Sequence, residues 1–128
     1  MAELVNHKMS IATGIATTVG PQFSVPRACG AVALVEVLKH WGVDTDLRAT
    51  WNCISWDDPF GTRCARSYLM ARCAISHELD AITLKCRKER AWEALIRCSR
   101  LGLSVIINHQ SRASRVEGHY SILKSISD

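Results

Sequence analysis

Two residues stand out for the chemistry they could perform together, Cys29 and His119. Cys29 lies where a loop containing Pro21 and Pro26 gives way to a helical pattern. At the first turn of a helix, unpaired backbone N–H groups and the helix dipole favour an anion. A thiol placed there is biased toward the thiolate, the nucleophilic form. Gly30 leaves room for a substrate backbone beside the sulfur, and Pro26 stiffens the approach. His119 follows Gly118 and opens the run Tyr120–Ser121–Ile122–Leu123. A histidine at the mouth of a strand can project its ring toward a neighbouring helix start. A cysteine on a helix start with a histidine on a later strand is what a thiolate–imidazolium pair requires. Each residue also has a plainer account, Cys29 as a small buried side chain and His119 as a satisfied histidine without a function.

The elements that must position this pair can be read from periodicity. Residues 1–20 are small and polar, and form an N-terminal arm ahead of a domain over residues 21–128. Ala31, Leu34, Val35, Leu38 and Trp41 recur at helical spacing from Cys29, and Gly42 stops that helix. A short helix is expected over Asp46–Asn52, capped by Asp44 or Thr45. Asp57–Asp58–Pro59 and Gly61 are loop chemistry, after which Thr62 caps a helix to about Ile75. Leu79–Cys86 reads as a strand. Lys88–Leu101 reads as a helix, with Trp92, Leu95, Ile96 and Leu101 on one face. Two strands follow, Leu103–Asn108 and His119–Ile126. Helices first and strands afterwards indicate an α+β fold, with N-terminal helices packed on a small antiparallel sheet.

Composition narrows the classes. The chain has 128 residues, 48% apolar and 22% charged, so it is long enough for one packed core and unlike a disordered chain. Sixteen Lys and Arg against twelve Asp and Glu give a charge of +4, but the excess is scattered. Its densest stretch, Lys85 to Arg90, is interrupted by Glu89. A nucleic-acid binder shows a basic stripe interleaved with stacking aromatics, so nucleic acid is not expected as a partner. No apolar stretch is long enough to span a bilayer, and Ser10 to Ala16 is too short and polar for a signal peptide. A cytoplasmic protein is the default. The six cysteines, at 29, 53, 64, 73, 86 and 98, are widely spaced and fall within helical or strand patterns. They read as free, mostly buried thiols, with no zinc-knuckle spacing and no cofactor implied. Trp41, Trp51, Trp56 and Trp92 read as core or groove walls, with Trp56 and Phe60 placed to reach a substrate.

The run Cys29–Gly30–Ala31–Val32–Ala33–Leu34–Val35–Glu36–Val37–Leu38–Lys39–His40–Trp41–Gly42 resembles the nucleophile helix of C39-type cysteine peptidases. Phe60–Gly61–Thr62 is similar to that family's next segment. Gly102–Leu103–Ser104–Val105–Ile106–Ile107 and Gly118–His119–Tyr120–Ser121–Ile122–Leu123 resemble its last strands, in the same order along the chain. The resemblance covers roughly residues 22 to 126. It implies a papain-like fold and a thiol-dependent peptide hydrolase, with Cys29 as nucleophile and His119 as base.

The resemblance also implies a glutamine shortly before the nucleophile that helps to hold the oxyanion. Gln22, with six residues between it and Cys29, is the one glutamine in that region, and reads equally well as an ordinary loop residue. The family shows Pro two residues after the nucleophile, where this chain has Ala31. Its third catalytic member is an acid on a strand after the histidine. Here Asp128 is the last residue, and Asp57–Asp58–Pro59 precedes the histidine. The chain is therefore shortened at its C-terminus, or Asp128 substitutes, or the dyad works without an orienting carboxylate. Weak activity, or none, is therefore expected. The competing functions are a non-catalytic peptide-binding or docking domain on the same fold, attached to a larger protein or transporter, and a thiol acyl-transferase using the same dyad.

Overall fold

The computed structural model describes residues 8–13, 28–57, 59–61, 63–111 and 114–127, with side chains described at 28–57, 59–61, 63–109 and 119–124. In chain order the elements are β1 (Lys8–Thr13), α1 (Cys29–His40), α2 (Leu47–Ile54), β2 (Ser55–Asp57), β3 (Arg63–Ala65), α3 (Ser67–Ser76), α4 (Lys88–Arg100), β4 (Ile106–Ser111) and β5 (Ser114–Ser127). Among the described residues, four helices and two small antiparallel sheets make an α+β protein. One sheet has the order β1-β5-β4, and the other is the β2-β3 hairpin.

α1 is the centre of the core. Gly30 to Val35 and Leu38 are all buried, so this helix is covered on nearly every side rather than on one stripe. It packs against α2, α3 and β5. Trp51 and Ile54 from α2, Met70 and Cys73 from α3, and Tyr120 and Ile122 from β5 complete the cluster. Gly42, at φ +82°, supplies the left-handed residue that ends α1, as the sequence indicates. Asp46 caps α2, its side chain accepting from the Ala49 N–H at 2.8 Å, one residue beyond the expected cap.

Three expectations change. Lys8–Thr13, read as part of an arm, is β1 and hydrogen-bonds to β5, so β5 is the central strand with both edges covered. The loop from Ser55 is a hairpin, and α3 starts at Ser67 rather than beside Thr62. Leu79–Cys86 carries no regular secondary structure and pairs with no strand among the described residues. Leu79 and Ala81 pack on the core, while Ile82 and Leu84 are 78% and 65% exposed. The alternation that reads as a strand is present, but the ladder is not. α4 is the least embedded helix. None of its residues is buried, and Glu93 bridges Arg90 and Arg97 along its outer face.

Candidate functional site

Cys29 is the first residue of α1, partly buried against the core cluster. Ala28, ahead of it, offers no capping side chain, and the first turn carries no acidic residue. The end of the helix is thus left to whatever lies in front of it. Gly30 stands tightly against two neighbouring side chains. A Cβ there would stand 2.9 Å from the Ala65 Cβ and 3.0 Å from Tyr120 Cδ2. Gly30 therefore lets β3 and β5 close directly on the helix start. Gly30→Ala is expected to destabilise the fold by roughly 1–3 kcal/mol, because the Ala65 Cβ cannot move without its backbone. A urea unfolding midpoint lowered at unchanged slope is the readout.

Tyr120 is the residue of β5 that meets this helix start. It is 8% exposed, and its hydroxyl is 3.0 Å from the Ser67 hydroxyl at the start of α3. Burial raises its pKa above the usual tyrosine value of 10.0, with Ser67 acting in the opposite direction and the thiols of Cys29 and Cys64 adding to the rise. Tyr120 thus joins α1, α3 and β5 through a phenol held protonated.

His119 takes the other face of the strand. Side chains alternate along β5, so with Tyr120 and Ile122 turned to α1, His119 and Ser121 turn away from it. His109 of β4 is directly opposite His119 in the register, and the two rings meet edge to face with centroids 5.6 Å apart. The His109 Nε2 lies 2.8 Å from the Ser121 hydroxyl. The His119 Nε2 is buried without a hydrogen-bond partner among the described residues. Burial, and then the nearby His109, lower the His119 pKa from its ordinary 6.5. The structure thus brings Tyr120 to the helix start of Cys29 and sets His119 beside His109. Gln22, Asp58 and Asp128 lie outside the described residues. Asp57 pairs with Arg63 across the hairpin at 3.2 Å.

The lowered His119 value carries a pH signature. The unfolded chain takes up this proton near 6.5, and the folded chain only further down. As the pH falls through that window the unfolded state binds more protons, so stability is lost on acidification and fully present above it. Wild type is expected to lose more of its urea midpoint between about pH 7 and about pH 5 than His119→Gln does. Equal losses would show that His119 is not held neutral.

Beside this region opens a cleft of about 470 Å³ lined by Trp56, Arg66, Ser67, Tyr68, Asn108 and Tyr120 among others. Ala65 and Tyr120, which touch Gly30, also line it, so its inner wall is continuous with the start of α1. Trp56 is a groove wall, as expected, whereas Phe60 is 92% exposed at the hairpin turn and outside the cleft lining. Trp51 is core, and Trp41 is half exposed with its indole N–H donating to the Ser104 hydroxyl at 2.8 Å. All six cysteines are free, but only Cys73 is buried, and Cys53 and Cys86 are exposed. The expectation of mostly buried thiols gives way because Cys29, Cys64 and Cys98 are only half-buried and Cys53 and Cys86 lie on exposed faces.

Sequence reasoning missed Tyr120, Arg66 and Ser67. The signal for Tyr120 was available: in Gly118–His119–Tyr120, one of the two side chains must face α1 and the other must not. The molecule is an α+β protein with an open cleft beside a helix-start cysteine. The chain matches no family model, no curated protein and no solved structure.

Proposed function

We propose that the chain is a thiol-dependent peptide hydrolase, a papain-like cysteine peptidase resembling the C39 family, with Cys29 as nucleophile and His119 as base. One observation carries the reading. Cys29 starts the central helix, with no capping side chain among the described residues, the histidine-bearing strand closed on that helix start and a cleft alongside. In the reaction the Cys29 sulfur would attack a peptide carbonyl, the base would pass its proton to the leaving amine, and water would release the acyl group. Gln22 and the Cys29 N–H are assigned to the oxyanion, and Asp128 to orienting the histidine, all from the resemblance alone. Six free thiols fit a reducing compartment, which supports a cytoplasmic location. Among the described residues no helix is long and apolar enough to cross a membrane.

A second reading is favoured by the position of Tyr120. With the phenol over the helix start and His119 on the far face, the cleft can hold a peptide without cleaving it. A docking domain needs nothing more, whereas hydrolysis needs His119 brought to the α1 face. A one-residue slip of β5 would exchange the two side chains.

Alkylation of each cysteine by iodoacetamide, followed across pH by mass spectrometry, separates the readings. Cys73, whose pKa burial pushes up to about 12, is the slow reference. For the hydrolase, Cys29 outpaces the exposed Cys53 and Cys86 in mildly acidic buffer and loses that lead in His119→Ala. If Cys29 reacts no faster than those two, the pair is not assembled and the docking reading holds.

A further inference from the structure

We propose that the cleft beside α1 selects a peptide bearing a carboxylate, and that Arg66 is the residue that reads it. The inference rests on the peptide-binding reading, which the hydrolase and the docking domain share.

Arg66 directly precedes α3 and lies in the cleft wall. Its guanidinium carbon sits 4.7 Å from the centre of the Trp56 ring. A guanidinium held over an aromatic face keeps its N–H donors around its edge, where they can engage a carboxylate through two parallel hydrogen bonds. No carboxylate among the described residues forms an ion pair with Arg66. The nearby Arg63 differs in this respect, since Asp57 neutralises it. Among the described residues the lining contains no Asp or Glu, and Arg66 is the single formal charge among them. α3 adds the same sign, because its first turn carries no acidic residue and its end faces this wall. Ser67 and Asn108 supply further polar atoms. Trp56 and Tyr68, 43% and 54% exposed, form apolar walls for the aliphatic part of a side chain. A volume of about 470 Å³ is within the range of small-ligand sites and suits one or two residues. One cation cannot track a phosphate backbone, which needs several along a groove, so a peptide carboxylate fits better than a nucleic acid. The carboxylate can belong to a Glu or Asp side chain or to the end of a peptide.

The test uses the full chain carrying Cys29→Ala, so that binding is read without turnover. Fluorescein-labelled Ala-Ala-Glu-Ala-Ala amide, its Gln and Lys counterparts, and the Gln peptide with a free C-terminus are titrated by polarisation. The Glu amide is expected to bind about tenfold tighter than the Gln amide, and Arg66→Ala to erase that ratio. Arg66→Gln, which keeps the length of the side chain, should do the same with an unchanged circular dichroism spectrum. Preference for the free-acid Gln peptide over the Glu amide would assign the site to a chain terminus. Equal binding of Glu and Gln amides by the parent overturns the selectivity and leaves peptide binding intact. Failure of every peptide to bind removes the underlying reading as well. Tighter, Arg66-dependent binding of a single-stranded oligonucleotide overturns the choice of peptide.

Discussion

If the chain is the hydrolase proposed above, Cys29→Ala is expected to lower peptide turnover by roughly four to six orders of magnitude while binding in the cleft stays within about twofold. The asymmetry follows from position. Cys29 begins α1, whereas the cleft lining passes through Ala65 and Tyr120 and does not include the thiol. No neighbour can take over. The Tyr120 phenol is buried, with its pKa raised, so it is protonated and a poor nucleophile near neutral pH. Cys64 belongs to β3 and not to a helix start. Rates of cleavage of a quenched fluorescent peptide pool, alongside polarisation titrations, give both quantities. Retained turnover in Cys29→Ala would end the thiol mechanism. Wild type that binds and never cleaves would leave the docking domain. His119→Ala refines the outcome. If turnover falls as far as in Cys29→Ala, His119 must reach the α1 face during the reaction. If turnover persists, the base is another group, because His119 in this structure faces His109 and not the helix start.

Local periodicity made α1 and the start of α4 legible, because both depend on interactions within one turn of chain. Gly42 could be read as a stop for the same reason. What depended on pairing could not be read. Lys8–Thr13 has weak strand propensity, and becomes β1 because β5 offers it an edge. Leu79–Cys86 shows the reverse case, since alternation reports that one face is covered and not that a strand is paired. Leu79 and Ala81 pack inward and Thr83 donates to the Ser67 carbonyl, yet no ladder forms among the described residues. The candidate site follows this division. Cys29 at a helix start was legible from Cys29–Gly30 and the apolar positions behind it. The face taken by His119 was not, because it depends on how β5 registers against β4 and α1. A shift of one residue reverses it.

Leu38→Ala is the substitution expected to cost most stability, about 2–5 kcal/mol. Leu38 has no solvent exposure and closes the C-terminal end of the α1 face that carries Ala31, Leu34 and Val35. Truncation loses the burial of the missing methyl and methylene groups and leaves a cavity bounded by elements that cannot all collapse into it. α1 is braced by α2, α3 and β5, so a shift that fills the hole for one neighbour opens a gap for another. Helix formation itself is not at issue, since alanine is the better helix former. Nor are the turns, because the Leu38 carbonyl still accepts from the Val43 N–H at 2.9 Å. The whole loss therefore reports on packing. Thermal unfolding should shift down by roughly 8–20 °C. Ile82→Ala, at a side chain 78% exposed on the unpaired segment, is the control and should stay within about 0.5 kcal/mol of wild type. A small effect at Leu38 together with a large one at Ile82 would mean that α1 is not the helix around which this protein is built.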